Sequence, residues 1–174
     1  MFNKNAWLLI LFIPAFLAGC STTSHHKNEA VPSIIGSWEM REVHWFSDEQ
    51  TYSIEEAQPG LFIFEDQRYA IMWTALKEPR AAFEILAQPT PEEVIESFKS
   101  VVFNAGSYAI NGAQITTTAY IAKVPGFEGG QQFYNYTIEE DILTLTMYDE
   151  TYPNGEKPNW AGKVQTRFVM QRAK

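Results

Sequence analysis

The sequence predicts a mainly β protein, an up-and-down antiparallel β-barrel of about 8–9 strands with one inserted α-helix. Runs rich in β-branched and aromatic residues, alternating with polar ones, follow one another from residue 33 to the end of the chain. Most of these runs are separated only by short turn signals, and a single segment has helical periodicity. A closed barrel leaves no strand edge exposed, which favours it over a β-sandwich, the main alternative.

The strand predictions follow the chain in order. The predicted strands are SIIGSWEMREVHWF at 33–46, GLFIFED at 60–66, RYAIMWTAL at 68–76, GSYAING at 106–112, QITTTAYIAK at 114–123, QQFYNYTI at 131–138, ILTLTMYDE at 142–150 and KVQTRFVMQR at 163–172. QTYSI at 50–54 is either a further short strand or a hairpin return. Asn111-Gly112 is a strong hairpin signal, and tight turns are expected at Asp66-Gln67 and at 139–141.

One segment, TPEEVIESFKSVVF at 90–103, has the signature of a helix instead. Thr90 is a suitable N-cap, Pro91 occupies the first helical position, and two glutamates follow in the first turn. The apolar residues that recur at helical spacing are Val94, Ile95, Phe98, Val101 and Val102. The segment therefore predicts one amphipathic helix.

The first residues have the composition of an export signal. Lys4 supplies the positive charge, residues 7–16 are nearly all apolar, and the run is shorter than the roughly 20 residues of a spanning helix. Leu17-Ala18-Gly19-Cys20 resembles the bacterial lipobox, whose cysteine is lipidated after cleavage, although an ordinary secretory signal is the alternative. The prediction is a signal peptide at 1–19, a lipidated Cys20 with a polar tether at 20–32, and one domain at 33–174.

This N-terminus predicts the location of the protein and limits its chemistry. Cys20 is the only cysteine, so its acylation would leave no thiol for a disulfide, a metal site or a nucleophile. By resemblance to lipoprotein sorting rules, Ser21 favours the outer membrane, with the domain facing the periplasm. Removing Lys4 with the signal leaves 12 basic and 21 acidic residues, a charge of −9, which argues against nucleic-acid binding.

Ile35-Gly36-Ser37-Trp38 on the first strand contains the G-x-W typical of lipocalin and calycin barrels. The chain resembles the bacterial lipocalin-like domain proteins over residues 33–172. The similar features, in order, are IIGSWEMREV, GLFIFEDQRYAIMW, Lys-Glu-Pro-Arg at 77–80, PEEVIESF, GSYAING, Pro-Gly-Phe-Glu-Gly at 125–129, ILTLTMY and the final Val-Met-Gln-Arg. No single motif is decisive, and the order and spacing of the features carry the resemblance.

The resemblance implies a structural pair at the closed end of the barrel, a first-strand Trp covered by a cation from the last strand. Alternation along the last strand places Val164, Thr166, Phe168, Met170 and Arg172 on one face. Arg172 therefore shares the apolar face and lies at the end expected beside Trp38, whereas Arg167 should point outward. We expect Trp38 and Arg172 to form a cation–π contact.

The barrel interior supplies the candidate ligand-binding residues. If alternation continues from Trp38, then Met40, Glu42 and His44 face inward, and the last two could form an acid/base pair. A bulge after Met40 would instead turn both outward. Tyr69, Ile71 and Trp73 share one face of their strand, as do Tyr134 and Tyr136, with Phe133, Asn135 and Thr137 as the other register. Aromatic residues at this spacing are typical of a core and also of an apolar pocket.

Several features are missing from the sequence. Many relatives carry histidines on the strand matched by residues 114–118, where this chain has three threonines, so their role cannot be transferred. His44 is the only histidine in the domain, and no nucleophile elbow, phosphate loop or dinucleotide fingerprint is present. We expect no metal and no cofactor.

The sequence therefore predicts a membrane-anchored barrel that binds a small hydrophobic or amphiphilic ligand. Its partners would be that ligand and the membrane lipid around acylated Cys20, with protein partners left open. One alternative is an isomerase, hydratase or lyase using Glu42 and His44, and another is a structural scaffold for an envelope partner. Loops at 46–60, 77–90 and 149–163 are expected to frame the mouth of the barrel.

Overall fold

The computed structural model describes residues 33–174 and contains nine strands and one helix within that range. The strands are β1 (Gly36–Ser47), β2 (Thr51–Ile54), β3 (Leu61–Glu65), β4 (Arg68–Thr74), β5 (Val101–Asn111), β6 (Gln114–Ala122), β7 (Gln131–Glu139), β8 (Ile142–Thr151) and β9 (Val164–Arg172). The helix, α1, runs over Pro91–Ser100 between β4 and β5. The predicted signal peptide, Cys20 and the tether lie outside the described residues.

All strand pairs are antiparallel, and the sheet closes on itself. Strands β3 to β9 follow one another as neighbours, and β1 pairs with both β3 and β9. β1 is long enough to hold β3 along its first half and β2 along its second half, so β2 is an extra strand beside the ring. The predicted up-and-down barrel with one helix is confirmed, and the sandwich alternative is not adopted.

The closed end of the barrel is built around Trp38, which is fully buried. Its indole N–H donates to the Ile34 carbonyl at 2.8 Å. The Arg172 guanidinium lies 4.0 Å from the centre of the indole ring and donates to the carbonyls of Ser33 and Ile35 at 2.8 and 3.0 Å. Trp38 and Arg172 thus join the chain segment before β1 to the end of β9.

The helix is shorter than its sequence pattern predicted. A capping box at Thr90 and Glu93 starts it as expected, but it ends at Ser100 because Val101 and Val102 pair with Thr74 and Trp73 in the sheet. Its apolar side chains are also not packed into the core. Val94, Ile95 and Phe98 are each about half exposed, at 49, 52 and 48 %.

Three β-bulges interrupt the regular alternation of the barrel. The register shifts at Arg41 in β1, at Tyr120 in β6 and at Tyr148 in β8, and each of these residues has no partner on the neighbouring strand. An extra residue inverts which side chains face inward beyond it. The bulges in β6 and β8 lie toward the end of the barrel opposite Trp38, which we call the open end, and the bulge in β1 lies near the middle of that strand.

Among residues 33–174, no helix is sufficiently long and apolar to span a bilayer.

Candidate functional site

A cavity of about 400 Å³ lies at the open end of the barrel, within the range typical of small-molecule sites. Strands β1, β4, β5, β7, β8 and β9 supply its walls, and the β8–β9 loop supplies Trp160. The residues that line the cavity are Trp45, Ile71, Trp73, Val102, Gln132, Tyr134, Met147, Glu150, Trp160, Val164, Thr166 and Phe168. Most of this surface is aromatic or aliphatic.

Below this open-end cavity the barrel is filled. The space among the deep side chains, including Phe62, Phe64, Tyr69 and Leu145, amounts to about 10 Å³. Such a volume accommodates about one water molecule at most. Inside the barrel, a larger ligand therefore has room only in the open-end cavity.

The polar side of the cavity is a connected hydrogen-bond network. Tyr134 Oη donates to Gln132 Oε1 at 2.9 Å, and Gln132 Nε2 donates to Glu150 Oε2 at 2.7 Å. Asn104, which is 3 % exposed behind Gln132, donates from Nδ2 to the same Oε1 at 3.4 Å. Within residues 33–174, Asn104 Oδ1 is the one buried side-chain polar atom that finds no hydrogen-bond partner.

Burial changes the acidity of the groups in this network. Burial raises the pKa of Glu150, the hydrogen bond from Gln132 partly opposes the change, and the neighbouring charge of Asp149 adds to it. Burial also raises the pKa of Tyr69 to about 12 and that of Tyr134 well above its ordinary value. Both phenols therefore stay protonated at neutral pH, and the Tyr134 hydroxyl is a hydrogen-bond donor in the network.

Some of the residues expected in the interior come together in the cavity. Ile71, Trp73 and Tyr134 line it. Met40 and Tyr69 are buried deeper in the core, and Tyr136 packs against that core without reaching the cavity. The register of β7 is thus the one with Tyr134 and Tyr136 inward, whereas Asn135 and Thr137 are exposed.

Glu42 and His44 do not lie in the interior, so their expected place among the interior residues is corrected and the predicted alternative, a bulge after Met40, is the one observed. The bulge at Arg41 turns Val43 and Trp45 inward, so the acid and the imidazole point away from the core. His44 Nε2 lies 2.8 Å from Glu42 Oε2 and His44 Nδ1 lies 2.7 Å from Ser53 Oγ. The Glu42 side chain is 40 % exposed and the His44 side chain is 20 % exposed. Both lie on the outer surface between β1 and β2.

Sequence reasoning missed much of the cavity. It placed Val164, Thr166 and Phe168 on the inward face of β9 without assigning them to a site. Trp45 and Glu150 were missed because the bulges in β1 and β8 invert the alternation before each of them. Regular alternation would have pointed Asp149 inward instead of Glu150, so no local sequence signal identifies the acid.

The match to a family model covers most of the chain. The model described as lipocalin-like domain matches residues 35–157, which include β1 to β8. The chain belongs to the lipocalin-like domain family. The closed barrel with Trp38 at one end and a cavity at the other agrees with the lipocalin-like fold.

Other comparisons add little to the lipocalin-like assignment. A comparison with curated proteins found no significant match. One solved structure, an uncharacterized protein from Bacteroides eggerthii DSM 20697 at 2.60 Å resolution, is 11 % identical with a TM-score of 0.42. That alignment covers 81 % of this chain and 100 % of the other. The similarity is too low to bear on the site.

Within the part of the chain that the structure describes, no three His, Cys, Asp or Glu side chains cluster as a metal site would require.

Proposed function

We propose that this lipocalin-like protein binds a small hydrophobic or amphiphilic molecule in the open-end cavity. The observation that carries the proposal is the cavity itself, about 400 Å³ in volume and walled by aromatic side chains with one polar side. Apolar walls supply affinity, and a few oriented polar groups supply specificity. The filled lower barrel restricts the ligand to the mouth.

Uptake of a neutral fluorescent probe, N-phenyl-1-naphthylamine, tests this proposal. Its emission should rise on binding, and emission from the cavity tryptophans should fall. Thr166→Phe places a large side chain into the cavity and should abolish uptake. Gln165→Phe is the matched control on the exposed face of β9 and should leave uptake unchanged. Equal uptake by both variants, or no uptake by the unmodified protein, would contradict the proposal.

We further propose that acylated Cys20 anchors the protein to a bacterial membrane, with the outer membrane favoured. The support is the lipobox-like sequence at 17–20 and the polar stretch that follows it. Two acyl chains or more give durable anchoring. Mass spectrometry of the native N-terminus should find a diacylglyceryl or triacyl cysteine, and Cys20→Ser should move the protein to the soluble fraction. An unmodified Cys20 would refute the anchor while leaving ligand binding open.

A second candidate, an interaction scaffold, is favoured by one observation. Val94, Ile95 and Phe98 expose apolar surface on α1 that a partner could cover. The cavity argues against a purely structural role, because a scaffold needs no such space. The enzymatic alternative loses its basis, since Glu42 and His44 are not in the barrel interior.

A further inference from the structure

The open-end cavity contains one formally charged side chain, and it is negative. Of its lining residues only Glu150 belongs to the formally charged residue types, and none is Lys, Arg or His. Among residues 33–174, no ion pair includes Glu150, whereas its neighbour Asp149 pairs with Lys157. The carboxylate thus lies in a partly buried site without a counter-ion from the described chain, and burial raises its pKa accordingly.

The hydrogen bonds of the network run toward this carboxylate. The Tyr134 hydroxyl and the Asn104 amide both donate to Gln132 Oε1, and Gln132 in turn donates to Glu150. Each of these three side chains thus donates one hydrogen bond within the network, and the Glu150 carboxylate at its end remains an acceptor facing the cavity. A ligand with N–H donors complements this side of the cavity.

The aromatic walls also favour a cation. Trp45 and Trp73 lie with ring centres 6.1 Å apart, Phe168 packs edge-on to Trp73 at 5.0 Å, and Trp160 lines the same space. Tryptophan is the strongest cation–π partner among side chains. The cation–π contacts within residues 33–174 use Tyr120, Phe98, Phe46 and Trp38, so none of the cavity rings has an internal cation.

We infer that the open-end cavity selects small aromatic or apolar amines, whose ammonium group lies between the Glu150 carboxylate and the tryptophan rings. This inference rests on the proposed ligand binding and names its ligand class. A fatty-acid-like carboxylate would meet Glu150 as a like charge with no cation to offset it. The formal net charge of −8 also attracts cations to the protein over anions.

Three probes with the same phenylethyl group test the inference: 2-phenylethylamine, 2-phenylethanol and 3-phenylpropanoate. Their affinities for the purified full-length protein are measured at pH 7 by calorimetry and by displacement of N-phenyl-1-naphthylamine. The amine should bind about tenfold or more tightly than the alcohol. The carboxylate should bind most weakly.

Two variants locate the selectivity. Glu150→Gln removes the charge at nearly constant shape and should lower the ratio of amine to alcohol affinity severalfold, while the tryptophan rings remain. Asp149→Asn removes the same charge from the adjacent residue, which faces the other side of β8, and should keep the ratio. Thermal melts of both variants serve as the control that each one is folded.

The outcomes separate the inference from the proposed function. Equal affinities of the unmodified protein for amine and alcohol, or an amine preference that is undiminished in Glu150→Gln, would overturn the amine inference while probe uptake still supports ligand binding. Equal loss of the preference in both variants would point to long-range charge and also overturn the role of Glu150. Failure of the protein to take up the neutral probe would overturn both proposals.

Discussion

The surroundings of Glu150 change its pKa and, through it, the dependence of protein stability on pH. It is partly buried beside Gln132 and Tyr134, and the described chain supplies no cation to its carboxylate. The raised pKa means that the folded protein holds the proton of Glu150 more tightly than the unfolded chain does. Stability from this group is therefore greatest at acidic pH and is lost as pH rises through the folded pKa.

Glu150→Gln should consequently stabilise the unliganded protein at neutral pH, by a Tm rise on the order of 1–3 °C. The gain should vanish near about pH 3, below the ordinary pKa of a glutamate, where the carboxyl is protonated in both states. Of the other titratable groups nearby, Tyr134 and Tyr69 titrate far above this range, and Asp149 faces outward in its pair with Lys157. Calorimetric scans against pH measure the effect, with exposed Glu139→Gln as control. A destabilised variant at pH 7 would contradict it.

Arg172 is a second residue whose contacts can be tested. Arg172→Ala removes the cation from the Trp38 ring and leaves the Ile35 and Ser33 carbonyls without their donors. We expect a loss of about 2–4 kcal/mol in the free energy of unfolding, measured by denaturant titration. Arg167→Ala is the control, because that cation lies 4.9 Å over the Phe46 ring on the outer surface. Arg167→Ala should lower the free energy of unfolding by less than about 1 kcal/mol. Equal losses in the two variants would refute a special role for Arg172 at the closed end.

At the scale of elements, the three bulges shape the open end. Each bulge inserts one extra residue into its strand. The side chains beyond it therefore face the opposite side of the sheet from the side that regular alternation predicts. In β1 this removes Glu42 from the interior and brings Trp45 in. In β8 the bulge turns Asp149 outward and brings Glu150 into the cavity. The cavity chemistry is thus produced by irregularities of the sheet.

Gly106 is required where β5 meets the bulge in β6. A Cβ at this position would lie 1.9 Å from the Thr118 carbonyl oxygen, and backbone atoms cannot move aside cheaply. Gly106→Ala should therefore cost about 3 kcal/mol of stability, measured by urea unfolding. Gly112→Ala in the β5–β6 turn meets no atom within 4 Å and should cost about 1 kcal/mol for its positive φ. The reverse order of the two losses would contradict this account.

At the scale of the whole molecule, the barrel is filled at one end and hollow at the other. A ligand that binds only the folded state adds stability by mass action. With N-phenyl-1-naphthylamine at 100 times its Kd, the gain should be about 2.7 kcal/mol. This corresponds to a Tm rise of about 5–10 °C by thermal scanning. Thr166→Phe should show no rise, and a rise of the same size in that variant would place the probe elsewhere.

Much of the fold was accessible from the sequence. Strand alternation has a period of two, turn residues mark most strand ends, and antiparallel neighbours pair in chain order. These local rules were enough to predict the barrel, its helix start at Thr90, and the shared inward face of Phe168, Met170 and Arg172. They also placed Trp73 on one face with Tyr69 and Ile71, but left open whether Tyr134 or Phe133 faces inward in β7, which the structure decides in favour of Tyr134.

The tertiary structure alone decided which acid enters the cavity. A bulge forms where two paired strands match best overall, so its position depends on the neighbour and not on the local sequence. Continuous alternation pointed to Glu42 and His44, whereas the paired strands turn both outward and bring Glu150 in. Alternation thus predicted the barrel strands and, together with the family resemblance, the closed end, whereas pairing between distant strands determined the charge of the open end and the inward turn of Trp45.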